Sequence, residues 1–175
     1  MTIRLKPHQK IHIQSSSDIY RVLQPILLRI SKLNRDREHF WLMHLDASQR
    51  VRCVELLGLG TQRTVLIDPM DVYHRAIVRR ASSIVVIHNH PSGNVKPSHA
   101  DKIATEKLMQ ASRFANVRML DHLIISEHEY YSFLDRGDLG RMAANMHESR
   151  IDHDTRMKRE WPRINANGSF VNAWA

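Results

Sequence analysis

The sequence has no run of about 18 apolar residues, so it carries no stretch long enough to cross a bilayer as a helix. Its basic first residues lack the apolar core of a secretory leader, and a cytoplasmic protein is expected. There is one cysteine, Cys53, which excludes an internal disulfide. In its apolar, strand-like surroundings it reads as a small buried side chain rather than a reactive thiol. No internal repeat or low-complexity tract occurs. A block of like charge is missing too. Lys plus Arg number 26 against 18 Asp plus Glu, a net charge of +8, but the basic residues are scattered (Arg35, Arg37, Arg79, Arg80, Arg113). Such a surface attracts polyanions, nucleic acid among them, without defining a binding face.

What is present is an ordinary globular composition, 42% hydrophobic and 25% charged over 175 residues, enough for one domain with a real core. Three parts are expected: an N-terminal segment 1–16, a folded domain 17–139 and a tail 140–175. In residues 17–33, Ile19, Val22, Leu23, Ile26 and Ile30 recur at helical spacing, with N-cap candidates at Ser15 to Asp18. Pro25 predicts a kink or two shorter pieces. His39 to Leu45 and Arg50 to Leu57 read as a hairpin around Asp46–Gln49, with Gly58 and Gly60 breaking the second strand. Asp68-Pro69 opens a helix running to about Ala81. Ser83 to Ile87 is a short apolar run of the kind buried on both faces.

His88 to Pro97 then reads as a loop. Ser98 caps a helix whose apolar face is Ala100, Ile103, Ala104, Leu108 and Ala111, with Asp101 in capping-box position. Val117 to Ser126 is a further strand, and Tyr130 to Asp135 a last short turn. The tail carries one helix near 141–149 and the isolated residues Trp161 and Trp174, either domain anchors or partner contacts. Strands interleaved with helices indicate an α/β sandwich around a mixed sheet.

The chemistry concentrates in His88-Asn89-His90, seven residues, then Ser98-His99-Ala100-Asp101. Side chains at i and i+2 of a strand end share one face, so both imidazoles can meet one ion. The proline-bounded loop returns the chain, and Asp101 falls in the first turn of the following helix. Two histidines and one carboxylate with a fourth position open to water form the ligand pattern of a catalytic zinc site. Each piece also has a structural alternative. The histidine pair can be core packing, Asp101 a favourable charge on the helix dipole, and Ser98 only an N-cap. Spacing alone leaves both readings open.

The His-x-His, seven residues, Ser-x-x-Asp pattern resembles the signature of the JAMM metalloproteases. The fuller set resembles RadC specifically: His88 to Gly93, Pro97-Ser98, Asp101 and Asp121-His122-Leu123-Ile124. The likeness covers about residues 15 to 139. It implies a cytidine-deaminase-like MPN/JAB fold, with one zinc ion on His88, His90 and Asp101. It also implies hydrolysis of a peptide or isopeptide bond in a protein substrate. The family's mechanism needs an upstream glutamate. Glu38, before the first strand, matches its place, and Glu55 on the next strand is the competitor. Glu38 also reads as a solvated charge beside Arg35 and Arg37. The resemblance assigns the general base to Glu38 and stabilisation of the oxyanion to Ser98. JAMM peptidases usually carry Ser or Thr between the histidines, where Asn89 stands here, as in RadC. Asn89 is expected to orient a ligand or the loop, His99 to be exposed, and Gly93 to permit a tight turn. Asp121 or His122 is expected either beside the metal or in the core. RadC proteins carry an N-terminal helix-hairpin-helix region for which residues 1–16 are too short, so a stand-alone domain is expected. A non-enzymatic module for DNA repair or nucleic-acid binding is the alternative function.

Overall fold

The computed structural model describes residues 1–3, 5, 11–60, 67–146, 163–164 and 170–171, with the backbone alone for Lys32, Leu33 and residues 163–164 and 170–171. One sheet organises the first of two units, Met1–Leu139. Its strands are β1 (Thr2–Ile3), β2 (His39–Leu45), β3 (Val51–Leu59), β4 (Ser83–Asn89), β5 (Arg118–Ile125) and β6 (Tyr130–Ser132). They lie in the order β1-β3-β2-β4-β5-β6. Only β4 and β5 pair in parallel, so the sheet is mixed. The helices are α1 (Ser16–Arg29), α2 (Lys32–Arg35), α3 (Pro69–Val78) and α4 (His99–Ala115).

Strand alternation divides the core. Trp41, Met43, Val85, Ile87, Leu123 and Ile125 pack with Ile19, Val22, Leu23 and Ile26 of α1 on one face. Phe40, Leu42, Ile84 and Val86 pack with Val72, Tyr73 and Ala76 of α3 and Leu108 of α4 on the other. All seven residues of β4 are buried, as a strand covered on both faces must be. By the same alternation His88 continues the Ile84–Val86 row, towards α3 and α4.

Local signals set several boundaries. The Asp18 carboxylate accepts the Ser15 backbone N–H at 3.1 Å, opening α1. The Asp68 carboxylate accepts the Met70 N–H at 2.9 Å, with Pro69 in the first turn of α3. Four expectations need correction. Pro25 does not divide the segment into two pieces: it sits inside one helix, α1, that stops only after Arg29, and burial of Ile19, Val22, Leu23, Ile26 and Leu27 holds the turns around it. Gly58 does not end β3. It pairs with Phe40 at a bulge that leaves Leu57 unpaired, where a glycine is tolerated. Tyr130–Ser132 is a strand on β5, not a turn, and the turn comes at 133–137. The buried face of α4 is Asp101, Thr105 and Leu108, while Ile103 is 39% exposed. Leu108 is buried and Ala111 packs against the core as expected, but Asp101 and Thr105 turn inward beside them where Ile103 does not.

In the second unit, Gly140–Ala175, strand β7 (Arg163–Ile164) pairs antiparallel with β8 (Phe170–Val171). Residues 140–146 are helical. Trp161 and Trp174 lie outside the described residues, as does the end of the helix expected near 141–149. Among the described residues, no helix is long and apolar enough to cross a membrane.

Candidate metal centre

His88 is the penultimate residue of β4 and is buried, directly across from Phe40 of β2. His90 follows one residue beyond the strand. Asp101 arrives from the first turn of α4, held by a reciprocal capping box. The Ser98 Oγ accepts the Asp101 N–H at 3.1 Å, and the Asp101 carboxylate accepts the Ser98 N–H at 2.7 Å. The His88 and His90 Nε2 atoms lie 3.1 Å apart. Each is 3.2 Å from an Asp101 carboxylate oxygen. Glu38, on the residue before β2, brings Oε1 to 3.7 Å from His88 Nε2. One donor atom from each of Glu38, His88, His90 and Asp101 lies within 4.8 Å of all the others, so the group can hold a metal ion.

The chemistry of the donors fits such an ion. His90 Nδ1 lies 2.6 Å from the Asn94 carbonyl oxygen, which can only accept. The ring proton of neutral His90 therefore sits on Nδ1, and the Nε2 lone pair faces the centre. Burial pushes the Asp101 carboxyl up, but the His88 and His90 imidazoles outweigh it and hold the group well below its usual range. Burial pushes His90 down, yet the hydrogen bonds and charges of Asp101, Asn94 and Glu38 leave it raised. Two carboxylates facing imidazoles make a centre that attracts a cation. It opens into a cavity of about 650 Å³ whose wall includes Asp36, Phe40, Ile67, Lys96 and Ser98.

Residues 13–138 match the sequence profile of the RadC-like JAB domain. The chain belongs to this family. It is 45% identical over 104 residues to a UPF0758 protein of Chlorobium chlorochromatii, covering 59% of this chain and 47% of that one. It is 37% identical over 125 residues to a UPF0758 protein of Flavobacterium johnsoniae, covering 71% of this chain and 52% of that one. The chain thus spans about half the length of the curated relatives it matches. The mixed six-stranded sheet with flanking helices accords with a JAB fold.

Within this RadC-like domain, Glu38 and Glu55 have separate surroundings. The Glu55 carboxylate accepts from Arg79 at 2.5 Å and Thr2 at 3.0 Å, and faces His44 Nε2 at 3.1 Å. Burial raises its pKa, but Arg79 and Thr2 more than offset this and leave it lowered. Glu55 is absent from both the donor group and the cavity wall. Asn89, between the two histidines, points to the opposite face. Its Oδ1 accepts the His39 N–H at 2.9 Å, and its Nδ2 donates to the Arg37 carbonyl at 3.2 Å. These bonds bracket Glu38 and tie it to the end of β4. Gly93 has φ +74° with open space around the position of a Cβ, so its backbone angle, not crowding, favours glycine. His99 is exposed, and Cys53 is half-buried rather than buried.

His122 lies beside His88, with its Nε2 2.9 Å from His88 Nδ1, and is buried against the Phe133 ring. Burial, then the neighbouring His88, holds its pKa well below the usual histidine value. Asp121 faces away and accepts from Ser132 Oγ at 2.5 Å and the Leu134 N–H at 2.9 Å. The sequence reading missed Thr105. Its i,i+4 relation to Asp101 was the available signal, since that spacing puts both on one helical face.

Proposed function

We propose that this RadC-like domain is a zinc-dependent hydrolase that cleaves an amide bond, peptide or isopeptide, in a protein substrate. The convergence of Glu38, His88, His90 and Asp101 within 4.8 Å, at a cavity, carries this reading. His88, His90 and Asp101 would hold the ion, since two imidazoles and one carboxylate with an open position suit catalytic zinc. When bound, zinc lowers the pKa of a water from about 15.7 to about 7 and polarises a carbonyl. Glu38, half-buried beside the ligands, is placed to act as general base and would return the proton to the leaving amine. Ser98 Oγ spends an acceptor site on the Asp101 N–H, which leaves its hydroxyl hydrogen to donate to the developing oxyanion. The cap and the catalytic role are therefore compatible.

Metal analysis of the purified protein tests the first half, with about one equivalent of zinc expected in the native protein and none in His88→Ala. Pools of quenched fluorogenic peptides, linear and lysine-branched, test the second. A folded native protein without zinc would point instead to a binding module. For that reading, the net charge of +8 predicts DNA affinity that falls steeply with salt.

A further inference from the structure

We propose that Thr105 and His122 are positioning residues that set the tautomer of His88, keeping the proton on its Nδ1 and the lone pair on Nε2. This rests on the zinc reading above for its consequence, but the proton assignment follows from the hydrogen bonds and the burial of the His122 ring.

The chain of logic starts at a carbonyl. Thr105 Oγ1 lies 2.6 Å from the Asp101 backbone oxygen, which can only accept, so the threonine hydroxyl donates there. Its single proton is then committed. Thr105 Oγ1 is also 2.7 Å from His122 Nδ1, and in that contact it must accept. His122 therefore carries a proton on Nδ1. The ring is 1% exposed, with Phe133 stacked at 4.9 Å and Phe40 edge-on at 6.2 Å, surroundings that favour the neutral imidazole. A neutral ring protonated on Nδ1 has its lone pair on Nε2. That atom lies 2.9 Å from His88 Nδ1, so His88 donates. The Nε2 lone pair of His88 is left facing His90, Asp101 and Glu38.

The relay begins and ends on candidate metal ligands. Asp101 supplies the carbonyl that orients Thr105 and the carboxylate that faces His88. Helix α4 thus delivers a ligand and the device that prepares a second ligand, one turn apart. Without the threonine hydroxyl, His122 can turn its proton to Nε2, which forces the His88 proton onto the nitrogen that faces the centre.

The test uses nitrogen-15 NMR of the imidazoles in the metal-free full chain, together with zinc affinity by chelator competition. In the native protein, Nδ1-protonated rings are expected for both His88 and His122. Thr105→Val, which keeps the shape and removes the hydroxyl, should shift His88 towards the Nε2-protonated form and weaken zinc binding by about 10–100-fold. Thr105→Ser should restore both to near-native values, which loss of packing alone would not do. An Nε2-protonated His88 in the native protein overturns the proposal, and needs no variant to fold. Native tautomer and affinity in Thr105→Val overturn it equally. Failure of the native protein to bind zinc would instead count against the hydrolase reading, while the NMR pattern still decides the proton assignment.

Discussion

Two clusters on the same face of the sheet pair a buried imidazole with a carboxylate, and they lie at opposite ends of β2 and β4. Phe40 pairs with His88 and His44 with Ile84, so the clusters are about four residues, roughly 13 Å, apart along the strands. At one end, Glu55 meets His44 and the guanidinium of Arg79, a cation supplied by the chain itself. At the other, the ion-pair partners of Asp101 among the described residues are the imidazoles of His88 and His90. The hydrogen bonding differs as well. His44 Nδ1 is buried and finds no partner among the described residues, whereas Nδ1 of His88, Nδ1 of His90 and both ring nitrogens of His122 have hydrogen-bond partners. A carboxylate closed by arginine is a structural tie. A carboxylate set between oriented imidazoles is a place for a cation from outside.

Five substitutions can break or sharpen this contrast. The largest effect is expected for Glu38→Gln, which should lower peptide turnover by about 10²–10⁴-fold, the usual contribution of a general base, while zinc stoichiometry stays at the native value. Loss of turnover in Glu55→Gln instead of Glu38→Gln, measured in the same assay, would reverse the two assignments. Ser98→Ala should lower turnover by about 100-fold through the missing oxyanion donor, and thermal melts should show only about 1 kcal/mol lost with the N-cap. A stability loss with unchanged turnover would reduce Ser98 to a cap.

Glu55→Ala should behave in the opposite sense. Glu55 is 3% exposed and its removal strands His44 and Arg79, so urea unfolding should show about 3 kcal/mol of destabilisation. Zinc affinity should not move. The smallest effect concerns Asp121, a carboxyl tied to β6 and the turn after it. Burial raises its pKa from the ordinary 3.8 to about 6, against the pull of the Ser132 hydroxyl and the Leu134 and His122 N–H groups. The folded state therefore holds a proton that the unfolded state releases. This stabilisation is complete below about pH 4 and is lost as pH rises through about 6. Relative to Asp121→Asn, the native protein should lose about 2 kcal/mol between pH 4 and 6, read from denaturation midpoints across that range. A parallel pH dependence in the two proteins would show that Asp121 is ionised throughout.

Much of the centre was legible because its geometry is local. His88 and His90 are two residues apart at a strand end, and Ser98 and Asp101 three apart at a helix start, spacings that dictate shared faces and a capping box. The Asp68-Pro69 helix start was readable for the same reason. The apolar face of α4 was misread because Ile103 fits the helical period while Asp101 and Thr105, which are buried, do not look apolar. Tyr130–Ser132 is too short for alternation to reveal a strand, and pairing with β5 decides it.

By itself, then, the sequence determined the ligand types, their spacing, the α/β class and the inward face of β4, since each depends on backbone periods of a few residues. Only the tertiary structure decided between Glu38 and Glu55 as the neighbour of His88, and set His122 and Thr105 behind it. Those choices depend on strand order, register and helix rotation. They bring together residues 50 and 34 positions from Asn89 and His88, separations that no local period encodes.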